Sequence, residues 1–562
     1  MRSAGKYFLL SIIPLGVLAA LISYYAVDIF MWDEWELISL LEKFHNGTLT
    51  LSDLFAQHNE HRIFLGKLFI IANAILTGWN VYYEIAINVL FAIGTSIVIF
   101  YAVEHAGRLS AARKNMLYFT CACLIFSFTQ QANWLSGFQM QIFMAVFFAL
   151  LTFAIIIYGG EKTIFLAVLS AVLASYSFAS GVFVWPAGLV LLLLKKNTKG
   201  RIALWLIAAV LCMMLYFHDY STLQPPFTEK LKYFLLQRPL ILLFSSACYL
   251  GASLAVTNHI TSILLGFVMI AIQVYCFVKI IRHKIRDKNI LFWLGIDIFV
   301  ILSALATGYG RPGIGGSMQT RYMTLCVLFP VATLGIASLT LDRISIKTYI
   351  AASMFIIALS FGDSPLREAR AVNEMSTLIK QQLLRGEYDN RTFSRLYHHK
   401  KGMITRLAIL KKYNVRNYEN APSVALDDFR PVDFTPERKI TSCEAKISDV
   451  DDEFFDVGGW WTVDELTPMQ SERVRVYIVL YNDEGAFEAG LYGQGERFAN
   501  GWMVPLKYKD PYADYQKNNF SGHQIHYGSL PSGTYRTALK VADDEGRDYY
   551  YMMTEKISID DK

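Results

Sequence analysis

Two clusters of charged and polar side chains lie close together near the start of the chain. The first is the pair Asp33 and Glu34, which stands between Trp32 and Trp35, and the second is the run His58–Arg62. Carboxylate, amide, imidazole and guanidinium groups are therefore concentrated beside long apolar runs. Polar groups so close to hydrocarbon are costly unless they are used or paired. We expect the two clusters to converge on one functional cleft.

Each cluster also has a simpler interpretation. Trp32 and Trp35 suit anchors at a membrane interface, where neighbouring carboxylates would merely be solvated. His58 and His61, with Glu60 between them, suggest a metal site. Two histidines at this spacing without a matching downstream ligand are more often hydrogen-bonding surface groups. We therefore expect no resident metal or other cofactor, and a divalent cation stays an open alternative.

Further polar candidates lie later in the chain. Arg311 lies in a glycine-rich segment, and Arg321 and Tyr322 open the next apolar run. Glycines allow the backbone to approach a ligand closely, whereas an arginine that snorkels to the interface or meets anionic lipid is the alternative. Trp134 and Gln139 offer an aromatic ring and an amide, which suit sugar recognition and equally suit the ends of helices.

The elements that must position these side chains are membrane helices. Of the 562 residues, 54% are hydrophobic and 18% are charged, and long apolar runs recur through residues 1–362. Several runs reach the ~20 apolar residues needed to cross a bilayer, which excludes both a fully soluble protein and a single membrane anchor. The net charge of +5 is small and scattered, so a nucleic-acid partner is not expected.

Residues 1–362 are predicted to form about 11 spans. These lie near 7–27, 80–102, 116–132, 139–158, 163–178, 182–194, 202–217, 261–280, 290–307, 321–340 and 347–361. The runs 63–77 and 240–257 are predicted to be an interfacial helix and a re-entrant or surface helix instead. Basic residues concentrate in the loops near 108–114, 195–201, 279–288 and 343–347, which the positive-inside rule places in the cytoplasm. The N-terminus is then cytoplasmic, and both polar clusters and the C-terminus lie outside.

The remainder of the chain reads as soluble protein. We predict a helical connector over 363–425, with one helix from Ser364 to about 385 and another near 403–412. Period-two alternation predicts short strands in the β-rich segment 426–562, at 473–481, 534–542 and 549–557. The predicted fold class is a polytopic α-helical membrane protein with a C-terminal extracytoplasmic α+β region that ends in a small β-sandwich.

An acidic pair just after the first span, followed by two surface helices, resembles the GT-C class of polytopic glycosyltransferases over about residues 1–362. The patterns Trp32–Trp35 and Asn59–Arg62 are most similar to bacterial phage-type serotype-converting O-antigen glucosyltransferases. The resemblance implies transfer of one hexose, such as glucose, from a polyprenyl-phosphate donor to a lipid-linked or surface glycan. It places the reaction on the outer face of the bacterial inner membrane, with the C-terminal region in the periplasm.

The resemblance also implies roles for the candidate residues. Asp33 would be the general base that takes a proton from the acceptor hydroxyl, and Glu34 would be an alternative base or an orienting partner. The leaving group would be a lipid phosphate, whose charge the guanidinium groups of Arg62, Arg311 and Arg321 could stabilise. A single base without a second nucleophilic carboxylate implies inversion at the anomeric carbon.

The rest of the expected donor and substrate site is a mixed polar and aromatic set. It comprises Glu60, His61, Tyr322, Trp134 and Gln139.

Two other functions stay open. A transporter or flippase of lipid-linked sugars would carry functional charges near mid-membrane and show internal repeats, and neither is clear in the sequence. An O-antigen polymerase or ligase would place its arginines in a large outer loop rather than pair them with an acidic first loop.

Overall fold

The computed structural model describes most of residues 11–559. Its gaps are 222–238, 256–257, 286, 312–318, 342–343, 386–399, 417–429, 433, 435, 437, 441, 449–453, 463–474, 494–517, 527–529 and 543–546. Most of the glycine-rich segment Gly308–Gly316 lies outside the described residues, although Arg311 itself lies within them.

Most of the described chain is helical. In chain order the helices are α1 (Ile12–Tyr25), α2 (Ile38–His45), α3 (Leu51–Phe55), α4 (Phe64–Thr77), α5 (Val81–Glu104), α6 (Ala111–Ile125), α7 (Gln131–Trp134), α8 (Met140–Tyr158), α9 (Ile164–Ser175), α10 (Val184–Leu194), α11 (Lys199–Phe217), α12 (Pro239–Ala255), α13 (His259–Arg282), α14 (Lys288–Gly310), α15 (Met323–Cys326), α16 (Leu328–Thr340), α17 (Ile346–Ser360), α18 (Asp363–Arg385) and α19 (Lys400–Lys412).

Seven helical stretches among the described residues are long and apolar enough to cross a membrane. They are Val81–Glu104, Gly137–Tyr158, Lys199–Phe217, His259–Arg282, Lys288–Gly310, Thr320–Thr340 and Ile346–Gln381. Six of them coincide with predicted spans, and Ile346–Gln381 runs beyond the predicted span 347–361 into the predicted connector helix. The prediction of a polytopic helical protein is confirmed. Four shorter apolar helices accompany them, at Ile12–Tyr25, Phe64–Thr77, Ala179–Leu194 and Leu240–Ala255. The predicted orientation in the membrane stays a prediction.

Local sequence signals explain where several helices begin and end. The side chain of Thr50 accepts from the backbone N–H of Asp53, and the backbone N–H of Thr50 donates to the carboxylate of Asp53. These two bonds form a capping box that starts α3. Asn80 caps the start of α5 through the N–H of Tyr82. Gly78 ends α4 with φ 68°, in the left-handed region where a glycine costs least.

Helix α12 packs closely along α13 through small residues. A Cβ on Gly251 would lie 1.9 Å from the carbonyl oxygen of Ser262, and one on Gly266 would lie 2.0 Å from that of Ala247. The two backbones can approach this closely only because both positions are glycine. On the α12 side of this contact, Ala247, Cys248 and Gly251 are buried, whereas Leu240 and Leu243 near the start of the helix are exposed. The interpretation of this run as a re-entrant or surface helix stays a prediction.

The chain divides into two compact units. The first comprises Met1–Val27 and Leu49–Arg370, and the second comprises Asp28–Thr48 and Ala371–Lys562. The division after Arg370 lies a few residues beyond the predicted boundary at 362. The segment Asp28–Thr48 belongs to the second unit, a grouping that the sequence did not predict.

The C-terminal strands form one nine-stranded sheet. They are β1 (Arg430–Pro431), β2 (Arg438–Lys439), β3 (Ser442–Ser448), β4 (Phe454–Thr462), β5 (Arg475–Tyr481), β6 (Ala486–Gly493), β7 (Asn518–His526), β8 (Gly533–Ala542) and β9 (Asp548–Ile559). Their order is β2-β9-β8-β5-β6-β7-β4-β3, and β1 pairs with β6. Only the β2–β9 pair is parallel among the described strands.

Alternate residues of the central strands build the core of this sheet. Ile478 and Leu480 of β5 are fully buried, as are Leu539 and Val541 of β8, and Ile478 pairs directly with Leu539. Ile447 of β3 packs against the same cluster. The predicted period-two strands are thus confirmed, and strands from distant positions in the sheet order share one apolar core.

Candidate functional site

A tight hairpin presents the second polar cluster. The backbone N–H of His58 donates to the carbonyl of His61 over 2.8 Å, and the N–H of His61 donates back to that of His58 over 2.9 Å. Asn59, at the turn, has φ 50°, a left-handed conformation that asparagine tolerates better than most residues. The hairpin holds the two imidazoles as neighbours and places Glu60 at its tip.

Arg62 joins this hairpin to the C-terminal end of α11 and to the end of α3. Its Nε donates to the carbonyl of Tyr216 over 2.5 Å, and a terminal nitrogen donates to the carbonyl of Phe55 over 2.6 Å. The other terminal nitrogen donates to the carbonyl of His218. The guanidinium is thus directed at three backbone carbonyls, and the side chain is buried. This geometry departs from the phosphate-binding role expected for Arg62, because its fork is already used in holding two segments together.

Side chains that the sequence did not single out hold the hairpin from the other side. The amide of Gln57 donates to the carbonyl of Ser221 over 2.7 Å and accepts from its N–H over 2.9 Å. The hydroxyl of Tyr220 donates to the carbonyl of Glu60 over 3.1 Å. The two residues of each pair are separated by about 160 residues in sequence, so no local sequence pattern could have predicted these contacts.

Arg311 and Arg321 lie near the hairpin in the first unit. Arg311 contacts the carboxylate of Glu60 at 3.5 Å, and both side chains remain partly exposed. An exposed pair of this kind contributes only ~0–1 kcal/mol, so an anionic ligand could displace it. Arg321 lies beside the ring of Tyr322, with 5.4 Å between the guanidinium carbon and the ring centroid.

The imidazole of His61 shows the combined effect of these groups. Burial, followed by the influence of His58, Arg321 and Arg311, lowers the pKa of His61 to about 3. His61 is therefore neutral at physiological pH, with one nitrogen able to donate and one able to accept. Within the described part of the chain, Nδ1 of His61 and Nε of Arg321 are buried without a hydrogen-bond partner. Buried polar atoms are normally paired, so each of these two atoms retains an unused capacity for a hydrogen bond.

The remaining candidates in the first unit have mainly positioning contacts. Trp134 is fully buried, and its indole N–H donates to the carbonyl of Ser127 over 3.0 Å, so its ring does not offer a face for a sugar. Asn133, an amide next to it, donates to the carbonyl of Arg321 over 2.9 Å and holds the backbone of that residue. The side chain of Gln139 is partly exposed, and Tyr322 is buried with its ring 5.8 Å from that of Tyr249.

The first polar cluster belongs to the second unit. Asp33 and Glu34 lie in the first turn of a 3₁₀ helix, Trp32–Leu37. Glu34 is buried, and its carboxylate accepts from the backbone N–H of Met31 over 3.4 Å. Trp35 is also fully buried, and its indole N–H donates to the carbonyl of Phe30 over 3.1 Å. Trp35 is therefore a core residue of this segment rather than an interfacial anchor, and Asp33 is partly exposed beside it.

The metal interpretation of the hairpin has no third ligand among the described residues. They contain no group of three or more histidine, cysteine, aspartate or glutamate side chains that could hold one ion. The two imidazoles instead contact aromatic rings, with ring centroids 5.5 Å apart for His58 and Phe138 and 4.2 Å apart for His61 and Phe178.

Comparison with known proteins adds no relative. No family model, curated protein or solved structure matches the chain.

Proposed function

We propose that the chain is a membrane-embedded, inverting glycosyltransferase that moves one hexose, such as glucose, from a polyprenyl-phosphate donor to a lipid-linked or surface glycan. The observation that carries the proposal is the meeting of Arg311, Arg321 and neutral His61 in the first unit. Two cationic side chains and an unpaired imidazole nitrogen suit the phosphodiester of a donor in which one phosphate joins a lipid to a sugar.

The proposed reaction is a single displacement. The acceptor hydroxyl oxygen forms a bond to the anomeric carbon while the bond from that carbon to the donor phosphate oxygen breaks. The electron pair stays on the leaving phosphate, where Arg311 and Arg321 stabilise the added charge. His61, being neutral, supplies a hydrogen bond to a phosphate oxygen without adding charge.

The proton of the acceptor hydroxyl needs a base. We propose Asp33 for this role, on the motif that it forms with Glu34 and the two tryptophans. Glu34 suits the orienting role better, because it is buried and its carboxylate caps its own helix. We leave Arg62 and Trp134 out of the substrate set, since their polar groups are directed at backbone carbonyls.

The setting proposed for this reaction is the outer face of a bacterial inner membrane. The N-terminus would be cytoplasmic and the sheet-bearing C-terminal region periplasmic. The apolar helices support a location in a membrane. The distribution of basic residues among the loops supports the proposed orientation.

The test is direct assay of the purified protein in liposomes. Radiolabelled polyprenyl-phosphate glucose is mixed with candidate lipid-linked glycans, with and without a chelator. We expect label in the glycan at equal rates in both conditions. Movement of intact donor across the bilayer without transfer would instead indicate a flippase, and joining of whole glycan units would indicate a polymerase or ligase.

A further inference from the structure

The segment that carries the acidic pair is held by a distant part of the chain. Residues 28–48 follow the first apolar helix, and the turn Tyr413–Arg416 follows α19; both lie in the second unit. The two are separated by more than 360 residues in sequence, yet several side chains join them. No role for the C-terminal region is evident from its sequence, so these contacts offer one.

Arg416 makes the central contact. Its guanidinium forms an ion pair with the carboxylate of Asp28, and another of its nitrogens donates to the carbonyl of Asp28 over 3.1 Å. The guanidinium carbon also lies 4.1 Å from the ring centroid of Phe30. The side chain of Arg416 is only 6% exposed, so this charged contact is shielded from water and is stronger than a surface pair.

Further contacts surround the Arg416 pair. The rings of His45 and Tyr413 stack with centroids 4.4 Å apart, and the Tyr413 hydroxyl donates to the side chain of Asn46 over 2.8 Å. Lys380 of α18 reaches the other carboxylate oxygen of Asp28 at 3.8 Å. The segment 28–48 is therefore held by side-chain contacts near both of its ends, and Asp33 lies between these two points in sequence.

The backbone after α19 is shaped to deliver Arg416. Asn414 and Arg416 have φ 51° and 69°, and left-handed conformations at non-glycine residues persist only where the surroundings fix them. The N–H of Val415 donates to the carbonyl of Leu410 over 2.9 Å, which closes the end of the helix. Val415 itself is buried. The turn is thus anchored on its apolar side while Arg416 leaves it toward Asp28.

We infer that Arg416 is a positioning residue for the Asp33 segment, acting through Asp28 and Phe30. The C-terminal region then serves the reaction by fixing the geometry of the first loop. Phe30 contacts Trp35 edge to face, with centroids 5.6 Å apart, so a shift of Phe30 is passed to the helix that bears Asp33. The catalytic part of this inference rests on the proposed glycosyltransferase function, and the structural part does not.

Two measurements on the full-length protein test the two parts separately. Hydrogen exchange of peptides from residues 28–45 is compared among wild type, Arg416→Gln, Arg416→Lys and the control Arg536→Gln, which removes an exposed charge of β8. We expect exchange about tenfold faster in Arg416→Gln, a smaller rise in Arg416→Lys, and no change in the control. Unchanged exchange in a folded Arg416→Gln protein would overturn the inference.

Kinetics supply the second measurement. We expect Arg416→Gln to lower kcat by about tenfold or more, because displaced catalytic groups lose rate, with the donor KM within about twofold of wild type. A raised donor KM with normal kcat would contradict a positioning role. If wild type itself transfers no sugar, the proposed function fails, and the exchange experiment still decides whether Arg416 fixes the segment.

Discussion

At the scale of single residues, three arginines of equal chemistry have different surroundings. Arg62 is directed at backbone carbonyls, Arg311 contacts an exposed carboxylate, and Arg321 keeps a buried Nε without a partner among the described residues. Composition and spacing made the three equivalent as phosphate ligands. Only the tertiary contacts distinguish Arg62, whose guanidinium binds backbone carbonyls, from Arg311 and Arg321, which retain capacity to bind a phosphate.

Replacement of Arg321 by alanine is expected to weaken donor binding. A hydrogen bond to a charged group contributes ~1.5–3 kcal/mol, so we expect the donor KM to rise about tenfold to a hundredfold. The measurement is the initial rate of transfer across donor concentrations. Arg367→Ala, which removes an exposed arginine of α18, is the control and should keep the wild-type KM. An unchanged donor KM in Arg321→Ala would remove this residue from the phosphate site.

Replacement of Asp33 by asparagine tests the proposed base. A positioned base contributes ~10²–10⁴-fold, and the amide cannot accept the proton, so we expect kcat to fall by this factor with normal expression. The neighbouring Glu36→Gln substitution is the control and should remain active. Glu34→Gln should mainly lower thermal stability, since Glu34 is buried. Near-normal transfer by Asp33→Asn would exclude Asp33 as the base.

The lowered pKa of His61 predicts a pH dependence of stability. The folded protein binds a proton at His61 only below a pH of about 3, whereas the unfolded chain does so below its ordinary value of 6.5. The contribution of neutral His61 to the free energy of unfolding is therefore fully present above pH 6.5, and it is lost as the pH falls toward 3. We expect His61→Gln to reduce the drop in melting temperature between about pH 7.5 and about pH 5. Equal drops in the two proteins would show that His61 is not held neutral by its surroundings.

At the scale of elements, the apolar spans were predictable because length and hydropathy alone define them. The run 116–132 shows where this signal fails, since α6 ends at Ile125 and is followed by a 3₁₀ helix, Phe128–Gln130, and by the short helix α7. The amide of Gln130 donates to the carbonyls of Leu124 and Ile125. The carbonyls at the end of α6 are thus satisfied by a side chain, which allows the long helix to break within a buried apolar segment. The hydropathy of this segment indicates that it is buried, but it does not indicate where the helix ends.

The packing of α12 on α13 carries a prediction at the same scale. A methyl group on Gly251 or Gly266 would meet backbone carbonyls rather than movable side chains. We expect Gly251→Ala and Gly266→Ala each to lower stability by about 1–3 kcal/mol, measured as the midpoint of thermal unfolding in detergent. Gly16→Ala on α1 is the control, because nothing lies within 4 Å of its Cβ position, and it should be neutral or slightly stabilising. Wild-type midpoints in both interface variants would show that the helices can separate at no cost.

The sheet was predictable for a related reason. Strands β5, β8 and β9 alternate apolar and polar residues, and this pattern is visible without knowledge of their partners. The order of the strands was not predictable, because β5 pairs with β8 across more than 50 residues. The same limit explains the hairpin anchors and the Arg416 contact, which depend on chain segments far apart in sequence.

At the scale of the whole molecule, the predicted boundary at residue 362 lies close to the division between the two units after Arg370. The divisions on either side of Asp28–Thr48 were not predicted. The segment Asp28–Thr48 groups with the C-terminal region, although it lies between two apolar helices of the first unit. Hydropathy divides a chain by solvent preference, whereas units are defined by contacts. A segment that lies between two apolar helices in sequence can therefore belong to the unit that contains the C-terminal sheet.

The orientation of the molecule is the prediction on which the outer-face reaction depends. The positive-inside rule predicts that Arg108 is cytoplasmic and that the C-terminal sheet lies outside. Arg108 and Asp483, in the turn between β5 and β6, are both exposed, and six of the seven native cysteines are buried. In a Cys443→Ser background, we expect a membrane-impermeant maleimide to label Asp483→Cys in cells with a permeabilised outer membrane, and to label Arg108→Cys only after the inner membrane is opened. The reverse pattern would place the sheet in the cytoplasm, and a donor presented on the outer face could then not be the substrate of a reaction assisted by the C-terminal region.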